Sequence, residues 1–386
     1  MSETLLLIGT RKGLWVARSD QTRTSWEMTG PEFLMNEVFS CAIDTRGGST
    51  RLLVGAMSSH FGPQVFRSDD LGGSWQETPN GAIRFPEDTG SALEQVWQLT
   101  PAPDSEPGVV YAGTQPSALF RSADRGETFE MVRALWDHPH REQWGGGFGG
   151  QAIHTILPDP ADPARMTVAM STGGVYQTQD SGESWNPANV GVKAYFLPDP
   201  WPEFGQCVHK VARHPGHPER MYLQNHHGVY RTDDGGGSWT SIAAGLPSDF
   251  GFPIVVDPHD VDTVYVFPVV ADGERIPPGG RPRVWRSTDA GATWAELSKG
   301  LPEEGFYACV MRDAMVADTG EPTGVYLGSR DGSVFASNDA GESWTQLAGH
   351  LPDVMCLRAA VITGSAFGIR PRRRADPTHR DSAQAS

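Results

Sequence analysis

The chain has 386 residues, with 31 Lys+Arg against 47 Asp+Glu, for a formal net charge of −16. Residues 363–386 hold five Arg and two Asp (+3), so residues 1–362 carry −19, and an acidic body of that size repels phosphate backbones and argues against nucleic acid as a partner. Gly (45) and Pro (30) are scattered throughout, which leaves few windows for a long helix, and no apolar run reaches the roughly 18 residues that a membrane span needs.

Taken in chain order, the sequence opens on a short apolar run at 5–9 and a second at 14–16, then Ser19-Asp20 and a Trp at 26. Its beginning has no basic region and an apolar run of four residues, so no secretory leader is expected and the cytoplasm is the expected location. Three apolar segments follow at 38–43, 52–55 and 65–66, and then the octet 68–75. The same order returns as 96–99, 109–113, 119–120 with octet 122–129, and as 152–157, 166–169, 175–176 with octet 178–185. It returns again as 207–212, 221–223, 229–230 with octet 232–239, and as 253–256, 264–266, 284–285 with octet 287–294. The last full copy is 308–311, 325–328, 334–335 with octet 337–344, and a lone apolar segment at 354–361 ends the pattern. These β-branched and aromatic runs bounded by Gly, Pro and Asp read as strands.

All six octets obey S/T-x-D-x-G-x-S/T-W/F. The closing aromatics, at 26, 75, 129, 185, 239, 294 and 344, are spaced by 49, 54, 56, 54, 55 and 50 residues. Each unit thus holds four strands, A to D, with the octet as the C–D hairpin. Units of this period that bury their faces only against neighbours are propeller blades. The chain starts on strand B of the first unit and ends on an unpaired strand A, so the end is expected to complete the beginning. The expected fold is therefore all-β: one seven-bladed β-propeller over residues 1–362, closed by pairing of its two ends, with 363–386 as a disordered basic tail.

In each octet, the carboxylate of Asp70, Asp124, Asp180, Asp234, Asp289 or Asp339 can accept turn N–H groups that have no ladder partner. The Gly supplies a positive φ, and the aromatic fills the gap between sheets. An acid repeated around a ring cannot converge on one substrate, so these aspartates are read as structural. The octet is identified as the Asp-box, or bacterial neuraminidase repeat, and the chain resembles the sialidase-like propeller superfamily. That resemblance implies the fold strongly and the reaction weakly, because the same boxes occur in sialidases, xyloglucan-cleaving propellers, sortilin-type receptors and photosystem assembly factors.

The D–A and B–C loops share the face opposite the hairpins. Those at 80–94, 133–150, 190–205 and 271–282 are long, as binding loops are, and the glycines of 145–150 suggest a mobile lid. Glu37, Tyr307, Arg312 and Arg358 are the candidate catalytic residues: Tyr307 with Glu303 or Glu304, plus Arg11, Arg312 and Arg358, would loosely imitate the Tyr–Glu pair and arginine triad of the sialidases, and Glu37, with Glu94, Asp137 and Glu142, is a candidate carboxylate for cleaving another glycoside. Arg11, His60, Gln95, Gln151, His154, Gln206, His209, His226 and Arg330 are candidate ligand-binding residues on the same rim. His154, His209 and His226 are a candidate divalent-metal set, since imidazoles converging from several blades are good ligands. Gln151-x-x-His154 and Gln206-x-x-His209 occupy matching places, which also fits histidines that each brace a backbone carbonyl. The four cysteines (41, 207, 309, 356) form no C-x-x-C pair and read as inert thiols on A strands. Three functions stay open: a small-molecule or glycan binder that hydrolyses or eliminates glycosides, a non-catalytic propeller that assembles with a protein partner, and a metalloenzyme built on the histidine rim.

Overall fold

The computed structural model describes residues 2–78, 82–147, 150–271 and 273–363. The expected basic tail, apart from Thr363, lies outside the described residues. Strands β1 (Ser2–Thr10), β2 (Gly13–Asp20) and β3 (Glu27–Glu32) open the chain. Strands β4 (Asn36–Asp44), β5 (Arg51–Ser58), β6 (Gly62–Ser68) and β7 (Gln76–Glu77) form a four-stranded antiparallel sheet. So do β8 (Gln95–Pro101), β9 (Val110–Gln115), β10 (Ala118–Ser122) and β11 (Glu130–Met131). The next sheet is β12 (Ile153–Pro158), β13 (Met166–Met170), β14 (Gly174–Thr178) and β15 (Asn186–Pro187). It is followed by β16 (Val208–His214), β17 (His217–Asn225), β18 (Gly228–Thr232) and β19 (Thr240–Ser241). Then come β20 (Gly251–Val256), β21 (Val264–Pro268), β22 (Val284–Ser287) and β23 (Ala295–Leu297).

Strands β24 (Val310–Ala317), β25 (Val325–Ser329), β26 (Val334–Ser337), β27 (Thr345–Ala348) and β28 (Val354–Thr363) complete the chain. The last strand, β28, runs antiparallel to β1 in a ladder from Ser2↔Thr363 to Thr10↔Val354. A single parallel bridge, Asp313↔Cys356, ties β28 to β24, so these eight strands make one sheet of two four-stranded halves. The first strand of each group packs on the first strand of the next: β28 on β4, then β8, β12, β16, β20, β24 and again β28. This near-all-β set of four-stranded sheets is propeller architecture.

Second strands such as β9 and β13 are buried on both faces, because each lies between a first and a third strand and between two sheets. The repeat aromatics join the sheets. The Trp239 indole N–H donates to the Ala188 carbonyl (2.9 Å) of the preceding sheet, and that of Trp294 to Ile242 (2.8 Å). That approach leaves no room for a side chain beside Trp239, where a Cβ on Gly191 (φ +91°) would meet the tryptophan carbonyl at 2.2 Å. In every octet the aspartate accepts what the spacing implies. For Asp70, Ser74 N–H (2.8 Å), the Ser74 hydroxyl (2.7 Å) and the Ser68 hydroxyl (2.7 Å) all donate to its carboxylate.

The segment expected to be a mobile lid is partly folded. It contains α1 (Arg133–Trp136) and a 3-10 turn (Arg141–Gln143), and it buries Leu135, Trp136 and Trp144. Three large apolar side chains with a core to enter outweigh the freedom that the glycines confer. Phe148 and Gly149 of that segment lie outside the described residues.

Candidate functional site at the channel mouth

The first strands carry polar side chains that meet across the axis of the molecule. Lys210 on β16 donates to Asp313 on β24 (2.7 Å), although β20 lies between those strands in sequence and packing. Arg358 on β28 donates to the same Asp313 oxygen (2.8 Å) and to Gln98 on β8 (3.0 Å). Such contacts need a shared central channel. Burial alone would push the Asp313 carboxyl up, but the Lys210 and Arg358 charges outweigh it and hold the group well below the usual carboxylate range. Arg312 is also buried. Its guanidinium lies 5.0 Å from the Trp97 ring, and its Nε has no hydrogen-bond partner among the described residues. An acidic protein thus keeps a cationic channel.

His154 and His209 line the wall of this channel in equivalent positions. His154 Nε2 donates to the Val208 carbonyl (2.9 Å), at the start of the next sheet's first strand, and its Nδ1 meets the Thr155 hydroxyl (3.1 Å). His209 Nδ1 donates to the Gly251 carbonyl (2.5 Å), again at the start of the next first strand. A carbonyl accepts and cannot donate, which fixes these protons. Burial, reinforced by Arg312, pushes both imidazoles well down, so they are neutral at pH 7. The candidate metal trio is not what the structure brings together. Both ring nitrogens of His154 are engaged, whereas Cys207, His209 and His226 place one ligand atom each within 4.8 Å of one another.

The remaining candidates lie around the mouth. Arg11 bridges Glu37 (3.3 Å) and Asp353 (3.2 Å), and Arg330 holds Asp353 from the other side (2.7 Å). Partial burial pushes the Asp353 carboxyl up, but the Arg330 and Arg11 bonds outweigh it and lower it. Gln151 donates to the Trp144 carbonyl (3.0 Å), and Gln206 to the Val192 and Pro202 carbonyls (3.3 and 2.7 Å), so both amides brace loops. Gln95 is partly buried at the start of β8, and its Nε2 lacks a partner among the described residues. The His60 ring sits 4.6 Å from that of Phe61. Tyr307 is 74% exposed, while Arg312 and Arg358 sit below in the channel rather than beside it.

The exposed apolar residues are distributed very unevenly. Leu34, Met35, Phe61, Val190, Tyr195, Phe196, Trp201 and Tyr307 are the large apolar side chains exposed among the described residues. Seven lie on connections from a fourth strand to the next first strand, and Phe61 lies on a second-to-third connection. Antiparallel pairing puts all of these at the same end of the sheets, the end that carries Arg11, Glu37, Asp353 and Arg330. Lys193 stands 5.1 Å from the Tyr195 ring and 5.4 Å from that of Trp201. A cavity of about 400 Å³ opens at the opposite end, between the turns of β12–β13 and β16–β17 and the Asp234 hairpin. No aromatic residue lines it, and Arg213 in its wall is spent on the Pro158 carbonyl.

Sequence reasoning passed over Asp353, Asp313, Lys210 and the ligating potential of Cys207. The short spacing Cys207-x-His209, at the start of a first strand, was the available signal for the last.

No family model matches the chain. It is similar to a xyloglucanase from a Paenibacillus species, 27% identical over 245 residues, which is 53% of this chain and 22% of that protein. It is likewise similar to xyloglucanase Xgh74A of Acetivibrio thermocellus, 25% identical over 268 residues, 60% of this chain and 29% of the relative. The chain therefore spans less than a third of the length of these curated relatives. Among solved structures, YCF48 bound to D1 peptide has a TM-score of 0.52 at 13% identity, covering 81% of this chain and 83% of that one. A putative 6-phosphogluconolactonase from Bacteroides fragilis has a TM-score of 0.54 at 11% identity, covering 92% and 98%. The likenesses give the chain its fold class, a β-propeller, with distant homology to xyloglucanases.

Proposed function

We propose that the chain is a seven-bladed, Asp-box propeller closed by β28, and that its mouth binds a glycan and hydrolyses a glycosidic bond. The unbroken circuit of first-strand packing and the nine-residue β1–β28 ladder support the ring. The observation that carries the function is the gathering of the exposed aromatic side chains around the charged mouth. Sugars offer apolar ring faces to aromatic side chains and hydroxyls to charged ones, so Tyr195, Phe196, Trp201 and Tyr307 would serve as platforms. Glu37 and Asp353 touch the same guanidinium, which keeps their carboxyl oxygens below the roughly 9.5 Å upper limit used by glycosidase pairs. In this reading Asp353, held ionised by two arginines, takes a proton from the attacking water. Glu37, entering the cycle protonated rather than paired to Arg11, gives that proton to the leaving oxygen as the bond from the anomeric carbon breaks and the water oxygen bonds to that carbon. The relatives named as xyloglucanases make β-glucan oligosaccharides the first substrates to try.

The test is release of new reducing ends from xyloglucan, other β-glucan and uronate-containing oligosaccharides. Glu37→Gln and Asp353→Asn should each reduce the rate by at least about 100-fold without changing the fold. No release from any of these, together with no ligand-induced rise in Tm, sinks the proposal. The same exposed apolar side chains also favour a second reading, a peptide-docking face, which a neighbour solved with a bound peptide makes concrete. Recovery of a stoichiometric protein partner without glycan turnover would select it.

A further inference from the structure

We infer that Cys207, His209 and His226 form a binding site for one borderline-soft divalent cation of the zinc type. The site is built from one hairpin. Cys207 stands immediately before β16 and His209 lies in the irregular first residues of that strand, where the ladder register shifts, and His226 lies across from Cys207, its N–H donating to the Cys207 carbonyl (2.9 Å). The three ligand atoms lie within 4.8 Å of one another. Zn²⁺ bonds of about 2.0–2.3 Å in a tetrahedron require ligands somewhat under 4 Å apart, so the ligand atoms must close by about 1 Å.

The surroundings suit this use. His209 already gives its Nδ1 proton to the Gly251 carbonyl, which fixes the ring and leaves Nε2 with its lone pair, the arrangement that metal-bound histidines have. The ligand set, one thiolate and two imidazoles, fits Zn²⁺ or Co²⁺ and fits poorly the oxygen-seeking Mg²⁺ and Ca²⁺. Cys207 and His226 are half-buried, so solvent or a ligand group can reach the fourth position. On binding, the thiol proton leaves to solvent and the sulfur lone pair forms the metal bond; no redox change occurs. The inference does not depend on the glycan reading.

The test uses the full chain stripped with chelator and titrated with Co²⁺, then Zn²⁺. One equivalent of Co²⁺ should bind, with a sulfur-to-metal charge-transfer band and the intense visible bands of a tetrahedral ion, and Zn²⁺ should displace it. Cys207→Ser should abolish the charge-transfer band, and His226→Ala should weaken binding at least tenfold. Because a variant can misfold, a second readout uses the unaltered protein: Zn²⁺, and not Mg²⁺, should slow alkylation of Cys207 at least tenfold, read by peptide mass. Binding below half an equivalent, a band that survives in Cys207→Ser, or alkylation indifferent to Zn²⁺ would each overturn the site.

Discussion

The channel carboxylate gives the most demanding test of the architecture. Asp313 is 4% exposed and accepts Lys210 at 2.7 Å and Arg358 at 2.8 Å from two other first strands. Asp313→Asn keeps the size and one acceptor but removes the charge. Lys210, Arg358 and the neighbouring Arg312 would then share a desolvated space without the carboxylate that touches two of them. Breaking a buried pair in this way costs about 3–5 kcal/mol, and the remaining amide acceptor argues for the lower end. Urea denaturation at pH 7 should therefore show a loss of about 3 kcal/mol at an unchanged m-value. Lys210→Met in the Asp313→Asn background should restore part of it, with a coupling of about 1–3 kcal/mol. The acid dependence has a definite sign. The folded carboxyl titrates below its unfolded value of about 3.9, so its stabilisation is complete above that pH and is lost as pH falls toward the depressed value. The gap between wild type and variant should hold from pH 7 to 5 and narrow only below about pH 4. A loss under about 1 kcal/mol at pH 7, or strictly additive double-mutant energies, would refute a channel in which these three strands face one another.

The buried histidines predict a different acid limit. His154 and His209 are held neutral, with folded values far below the unfolded value of about 6.5, so the unfolded chain binds more protons and stability falls as pH drops below 6.5. Chemical denaturation should show a slope of up to about 1.4 kcal/mol per pH unit for each imidazole between pH 6.5 and 5, and His154→Gln should remove one share of it. Tyr307→Ala and Trp201→Ala should leave Tm unchanged, since both side chains are more than half exposed, and weaken glycan binding about two- to tenfold by calorimetry. Asp180 titrates at about 2 because the Ser184 hydroxyl and N–H and the Thr178 hydroxyl bond its charged form. Asp180→Ala should lower Tm at pH 7, lower it less as pH falls from about 3.9 toward 2, and leave ligand binding at the far face intact.

The repeat unit was legible because its signals are local. An octet with a fixed aspartate needs no distant partner to make its turn, and strands β9 and β13 announce themselves by β-branched and aromatic runs. The fourth strands were less visible. Asn186–Pro187 and Thr240–Ser241 are two-residue ladders with almost no apolar content, and their positions follow from the hairpin rather than from their own residues. The fate of 133–150 was misleading for a related reason. Its five glycines are conspicuous in sequence, while the burial of Leu135, Trp136 and Trp144 depends on sheets that lie elsewhere in the chain.

The channel was hardest to read, and the reason is geometric. A first strand shows one side to its neighbouring sheets and the other to the axis, so a charge in it looks like an error in an apolar run until the ring is assembled. Lys210 and Asp313 are 103 residues apart and have no local partner that would mark them. Asp353 is equally silent, since it stands before β28 and its partners come from two other connections, Arg330 after β25 and Arg11, 342 residues away, after β1. The β1–β28 pairing therefore lies next to the residues that assemble the mouth. The Glu37–Arg11–Asp353 group draws its members from β4, the β1–β2 turn and the segment leading into β28. A chain cut before residue 353 would keep all six octets and lose the carboxylate, the β1–β28 ladder and the Arg358 contact to Asp313 together.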